Sequence, residues 1–472
     1  LPPAPRELAD FLADNSIAAY EKVVDRLLES DAFGECWGQH WLDLVRFAET
    51  KGHEQDFEIE EAWRYRDYVI EAFNVNVPFD VFVREHLAGD LIKSPRLNLK
   101  TQTNQSIQGT AFWHLGEATH SPVDIRGDEA DRIDNQIDVL GKAILGLTIA
   151  CARCHDHKFD AISTADYYAL CGFIESSSYQ KANVANPIEC EKVSRDLNNL
   201  HKSYSKQLFA LFSNHVVEMR TEYSAAFEEA LQETPREEPS DSLRAEIARA
   251  REEPDHPLHV VAKLARELQK NPGYDTRACI EEWRTAASAS QEASVKSIVD
   301  FSRDNSDWIT SGYTFGFGPV AVGEILLRAN PRQPIAAIAT EPAAHGRRLS
   351  PQLTGFYRTP TFQVASRKLW YRFRGKAAVF AVVDSHRTVA GPLHGVVNQQ
   401  LDSPDRKVWF AHDLSDYVGH RAHVEFTPQG DFELFEVQFA EEQPESPPPA
   451  NELLLELLHD HEPRDLSSLA KA

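Results

Sequence analysis

The residues with the most specific chemistry in this chain are Cys151, Cys154 and His155, in the run Cys151-Ala152-Arg153-Cys154-His155. Two thiols separated by two residues at a helix end can both reach the vinyl groups of one porphyrin and form thioether bonds. The adjoining imidazole can then ligate the iron. At the Cys and His frequencies of this chain, chance produces the pattern roughly 0.003 times. The spacing therefore predicts a covalent haem c on Cys151 and Cys154, with His155 as the proximal iron ligand. Zinc on Cys151, Cys154, His155 or His157 is a rival, but structural zinc needs a second ligand pair, and Cys171 and Cys190 are scattered. A thioredoxin-like dithiol calls for a strand–CxxC–helix context that the flanking pattern lacks.

The sixth iron position is open. The only methionine, Met219, lies in a charged helical stretch, which leaves His40, His53, His86, His114, His120 and His157 as candidates, the last too close to His155 to cross to the opposite face. Two histidine ligands would make an electron relay. An open position would admit small-molecule or peroxide chemistry.

The elements that must position these residues follow from periodicity. Pro5 to Leu12, the apolar stripe Tyr20, Val23, Val24, Leu27 and Leu28, the Trp37–Phe47 run, Ala62–Asn74 and Phe79–Ala88 all have helical spacing. A further helix over 131–150 carries Ile133, Ile137, Leu140, Ile144 and Leu147 on one face and delivers Cys151. The expected organisation is a multidomain chain. A mainly α, cytochrome c-like haem domain covers 1–185, a helical hairpin or bundle 190–303, and a jelly-roll-like β-sandwich 305–441. A Pro-rich linker and the start of a further domain occupy 442–472.

Composition limits the function classes. The 472 residues are 42% hydrophobic and 26% charged, enough for sizeable cores. A net charge of −24 excludes a general polyanion binder, so nucleic acid is not an expected partner. No apolar stretch reaches the 18 or so residues of a membrane span, and the opening Leu1-Pro2-Pro3 reads as a piece of a longer precursor.

Beyond the thiol motif, an ordered series of segments carries a family resemblance. It comprises Leu1-Pro2-Pro3, Trp41-Leu42-Asp43-Leu44, Gly52-His53-Glu54, Ala62 to Tyr68 and Arg84 to Asp90. It continues through Leu115-Gly116-Glu117, His120-Ser121-Pro122, Asp131 to Asp134 and Gly146-Leu147-Thr148, and ends in Cys151 to Asp160 and Asp166-Tyr167-Tyr168. Over roughly residues 1–180 this resembles the planctomycete-type cytochrome c domain. The resemblance implies a covalent haem c in a large secreted protein. His120, as distal ligand or pocket residue, and His53 as the alternative, are the histidines that coincide with its motifs.

The β-rich segment resembles galactose-binding-like jelly rolls around Val408 to Gly419 and Phe432 to Phe439. Trp370, Tyr371 and Trp409 are the candidate sugar-stacking aromatics, and His412, His420 and His423 read as exposed strand histidines. The function expected from sequence is thus a periplasmic or secreted c-type cytochrome module. It would pass electrons to or from a redox partner protein, linked to polysaccharide degradation. Two alternatives stand beside it: a peroxidase-like or sugar-oxidising haem enzyme, and a carbohydrate-binding adaptor with a structural haem. Whether the chain is an enzyme is left open.

Overall fold

In the computed structural model the chain divides into two compact units, Leu1–Cys190 and Glu191–Val383 with Val396–Ala472. The structure describes residues 2–472 except 54–55, 120–123, 178, 180, 219, 233–241, 253–255, 257, 272, 294–296, 302–307, 328–334, 348, 385–395 and 445–451.

The first unit is mostly helical. Its helices are α1 (Pro5–Ala13), α2 (Ala19–Leu28), α3 (Asp31–Leu44), α4 (Trp63–Asn74), α5 (Phe79–Ala88), α6 (Gln105–Gly109), α7 (Ile125–Leu140) and α8 (Thr164–Glu175). The apolar stripe of α2 is not buried: Tyr20, Leu27 and Leu28 are all more than half exposed. Ser30 caps α3 by accepting from Ala32 N. The buried Gly34 and Gly38, one turn apart, let α4 approach closely. A Cβ on Gly34 would lie 2.4 Å from Ile70 O, a backbone atom that cannot step aside. Gly34→Ala is therefore expected to cost about 1–3 kcal/mol, measurable as a lower urea midpoint. An unchanged midpoint would mean that the two helices separate without penalty.

Trp41, Tyr65, Tyr68, Val69, Phe82 and Phe112 form the core between these helices. A polar chain runs through it. His86 Nδ1 donates to Phe82 O (2.8 Å), so Nε2 accepts from Tyr65 OH (2.8 Å), whose oxygen accepts from Trp41 Nε1 (3.0 Å). Beside it the fully buried Glu85 accepts from Tyr68 OH, Ser106 Oγ and Arg96 at 2.8–3.2 Å.

The helix expected over 131–150 is displaced. Asp124 caps α7 by accepting from Gly127 N, so the helix begins earlier, and its regular part ends at Leu140. One wider turn, Gly141–Leu145, follows and stops at Gly146, which sits in the left-handed region at φ +69°. The chain then makes a 3₁₀ turn, Ile149–Arg153. Ile133 and Ile137 of α7, Ile149 and Ala152 of the turn, and Tyr167 and Ile174 of α8 share one core cluster.

The second unit combines a helical part with an antiparallel sheet domain. Its helices are α9 (Pro187–Glu218, begun in the first unit), α10 (Arg220–Leu231), α11 (Ser242–Glu252), α12 (His259–Lys270) and α13 (Thr276–Ala293). After the sheet come α14 (Glu452–His461) and α15 (Leu466–Lys471). Leu455, Leu458 and Leu469 of these last helices enter the same core as Leu231, Ile247, Leu264 and Ile280.

The sheet strands are β1 (Ser297–Asp300), β2 (Ile309–Gly312), β3 (Ile325–Leu327), β4 (Ile335–Ile338), β5 (Ala344–Gly346), β6 (Gly355–Arg358), β7 (Phe362–Gln363), β8 (Lys368–Val383), β9 (Asn398–Asp413) and β10 (Arg421–Phe439). Eight of them form one sheet with the backbone order β2-β6-β10-β8-β9, while β1, β5 and β7 also pair with β10. β3 and β4 make a separate ribbon.

Strand alternation sorts the three long strands. Leu369, Tyr371, Phe373, Ala377, Val379, Ala381 and Val383 of β8 face the core. Phe432 and Leu434 of β10 do the same, but a register shift between Leu434 and Glu436 passes the core side to Val437 and Phe439. A second irregularity sits at Gly375, where φ is +100° and a Cβ would meet Asp431 O at 1.9 Å. Tyr371 OH donates to His412 Nδ1 (2.6 Å), whose Nε2 donates to Val396 O. This repeats, in the sheet, the tyrosine–histidine–carbonyl chain of the first unit.

Candidate functional site

The structure places Cys151, Cys154 and His155 together on one exposed turn. Cys151 N–H donates to Thr148 O (3.1 Å), and Cys154 ends the 3₁₀ segment in a helical conformation. The turn is fastened on both sides. Arg153 reaches Asp131 (3.0 Å) and Asp134 (3.1 Å) of α7, and its carbonyl accepts from Tyr168 OH of α8 (3.3 Å). His157 Nδ1 accepts from Asp160 N (2.9 Å), so its Nε2 donates to Thr148 Oγ1 (3.0 Å). Asp156 accepts from Thr164 N (2.8 Å) at the start of α8, which Ser163 and Asp166 cap reciprocally. On α8, burial pushes the Cys171 thiol up, and its neighbour Tyr167 donates to Asp134 (2.6 Å).

The haem expectation is corrected by these surroundings. Cys151 and Cys154 are free thiols. Among the described residues no group of three or more His, Cys, Asp or Glu side chains is placed to hold a metal ion. His155 is exposed, and its Nδ1 turns sideways to donate to Asp156 O (2.8 Å). Haem c as cofactor, iron or other metal binding, and the cytochrome c assignment are therefore not retained. His53 stands exposed at the tip of a hairpin closed by the Thr50–Glu58 bridge, with φ +63°. His120 lies outside the described residues, as does Met219. The physical reason is that motif spacing brings three residues to one turn, while among the described residues no further ligands gather around them.

A second constellation, which no local sequence pattern joins, lies in the second unit. Residues on the outer face of the long strands, Arg374 of β8, Lys407 and Trp409 of β9, and Glu433 and Phe435 of β10, line a cleft of about 660 Å³. Glu341 and His345 close one side, and Glu246 and His256 line it from α11 and the segment after it. Small-molecule sites span roughly 300–1,000 Å³, so the volume suits a ligand of modest size.

Several of its charges are held in ion pairs. Arg374 Nε reaches Glu433 Oε2 (2.6 Å), and His345 Nε2 reaches Glu433 Oε1 (3.0 Å). Burial alone would raise the Glu433 carboxyl, but the bond and charge of His345 and the Arg374 guanidinium hold it at about 2. Glu341 accepts from Arg372 (2.6 Å) and from Lys407; despite burial, these two cations hold it below its ordinary value. Lys407 Nζ also sits 4.6 Å from the centre of the Phe435 ring.

Of the three candidate aromatics, only Trp409 belongs to this cleft, half-buried on its wall. Tyr371 is fully buried, stacked on Phe410, and Trp370 is buried with its Nε1 donating to Ala440 O (3.0 Å). His412 and His423, expected to be exposed, are 1% and 3% exposed. The residues that were missed did leave a signal. Arg372, Arg374, Lys407 and Glu433 are polar members of alternating strands, and alternation sets them on the face of Trp409 once the register is known.

Residues 1–179 match a family model described as PSCyt2, a protein of unknown function (DUF1549), so a PSCyt2-like domain occupies that stretch. No curated protein and no solved structure matches the chain.

Proposed function

We propose that the chain is a carbohydrate-binding protein, whose ligand lies in the cleft over the outer face of β8, β9 and β10. The observation that carries this reading is Trp409 standing beside paired, immobilised charges within one 660 Å³ cleft. A pyranose ring offers an apolar face and a rim of hydroxyls, each both donor and acceptor. An indole suits the first. The second suits donor-only groups such as Arg374 and Lys407 alternating with the acceptor-only carboxylates Glu341 and Glu433.

Binding fits this wall better than hydrolysis. Glycoside cleavage needs a carboxylic acid kept protonated to protonate the leaving oxygen. Glu341 and Glu433, paired with Arg372, Lys407 and Arg374, are both held below their ordinary values, so neither of these two supplies that acid. A galactose-binding-like jelly roll is the fold reading in keeping with this use of the sheet, with a polysaccharide as the partner and the periplasm or cell exterior as the place of contact. Among the described residues no helix is long and apolar enough to cross a membrane.

The test is affinity-gel retardation and calorimetry of the full chain against a panel of neutral and acidic polysaccharides. We expect at least one to bind, and Trp409→Ala to weaken that binding up to about tenfold, in line with the roughly 0.5–1.5 kcal/mol of an aromatic stacking contact. Failure of every glycan to retard the wild-type protein would overturn the reading, as would full affinity in the Trp409→Ala variant.

A further inference from the structure

Cys151 and Cys154 bracket the end of the 3₁₀ turn Ile149–Arg153. In a 3₁₀ helix side chains at i and i+3 eclipse, and a rise of about 2.0 Å per residue puts their Cα atoms about 6 Å apart. That separation falls inside the roughly 4.4–6.8 Å that a disulfide spans. We propose that Cys151 and Cys154 are a reversible dithiol–disulfide pair, whose exchange partner is a protein or low-molecular-weight disulfide.

Three features of the turn support the pair. Both thiols are free and exposed, so a partner disulfide can reach either sulfur. The backbone between them is already fixed by the Arg153 ion pairs to Asp131 and Asp134 and by the Tyr168 bond to Arg153 O. Closing the bond therefore asks for side-chain rotation and no refolding of the turn. Cys171, the neighbouring thiol on α8, is half-buried and held more firmly protonated by burial, so it competes poorly for an oxidant.

The exchange balances in two steps. One thiol of the pair loses its proton, and the thiolate attacks a sulfur of the partner disulfide. A mixed disulfide forms and the partner's other sulfur leaves as a thiolate that takes up a proton. The second thiol of the pair then loses its proton and attacks the sulfur of the first. The intramolecular bond forms, and the partner's remaining sulfur leaves as a thiol. Two electrons and two protons pass from the pair to the partner, which ends as a dithiol or two thiols. The reverse sequence regenerates the pair.

The full chain can be equilibrated across a series of reduced and oxidised glutathione mixtures, trapped with a maleimide, digested with trypsin and mapped by mass spectrometry. Arg153 lies between the two cysteines, so the bond would join two separate tryptic peptides. The expected result is that this linked pair accumulates in a single transition, with both thiols lost together. The single variants Cys151→Ser and Cys154→Ser should each leave the other cysteine as a glutathione adduct. Separate glutathione adducts on Cys151 and Cys154 of the wild-type chain, or both thiols persisting free under oxidising mixtures, would overturn the proposal. The wild-type digest decides the matter even where a variant fails to fold.

Discussion

Glu85→Ala is expected to lower the stability of the helical unit by about 3 kcal/mol, toward the lower end of the 3–5 kcal/mol typical of breaking a buried ion pair. Glu85 is fully buried, and its two oxygens collect Tyr68 OH, Ser106 Oγ and the Nε and Nη2 edge of the Arg96 guanidinium. Truncation strands a hydroxyl in the core and leaves the guanidinium without its counter-charge. Arg96 retains 22% side-chain exposure and can draw some solvation from water, which keeps the loss near the lower bound. Urea unfolding of Glu85→Ala, and of Glu85→Leu combined with Arg96→Met, separates the terms. The double variant should recover a large part of the loss, because neither partner then remains buried without the other. A loss under about 1 kcal/mol in the single variant would show that water reaches the cluster.

The second large effect is acid lability centred on histidine. Burial lowers His86 and His412 to about 4, outweighing the bonds that each ring donates to Phe82 O and Val396 O. An unfolded histidine takes up its proton near 6.5. The folded rings resist protonation until about 4, so their contribution is complete above pH 6.5 and declines as pH falls from 6.5 toward 4. Each ring accounts for about 3 kcal/mol across that window, at 1.36 kcal/mol per pKa unit. Protonating either ring also removes the lone pair that accepts from Tyr65 OH or Tyr371 OH. One such ring sits in each unit, so the urea midpoints of both should fall between pH 7 and pH 4.5. Glu433, held at about 2, gives up its own contribution only as pH falls below about 4.5, so it does not explain a drop above that. Equal midpoints at pH 7 and 4.5 would refute the assignment.

Much of the helical unit was legible because local signals agreed. Pro5 near a helix start and the helical spacing over 62–74 and 79–88 each mark an element that the structure contains. The helix before Cys151 was misjudged because its apolar spacing continues through Ile144 and Leu147, while Gly146 at φ +69° ends the run. The burial of His412 and His423 was hidden for another reason. Strand residues reveal the face they occupy only after pairing is known, and β10 changes its core side at the Leu434/Glu436 shift. The cleft was illegible for the same reason, since its walls come from residues 246 to 443 and no local pattern joins them. The thiol motif misled in the opposite sense. Its spacing was unmistakable, and the haem it implied was not matched by a surrounding set of ligands among the described residues.

The pairing of β1 with the end of β10 carries an architectural consequence. Val299 lies opposite Val437, so the polypeptide starts and finishes its whole tour of the sheet at a single spot. Helices on both sides of that tour, α13 before it and α14 after it, share one apolar interior. The sheet is thus a guest threaded into a helical host. The host's interior stays incomplete until translation has produced Leu455, Leu458 and Leu469, long after its first helices are made. During synthesis the guest is in a position to fold first, and the host to close behind it.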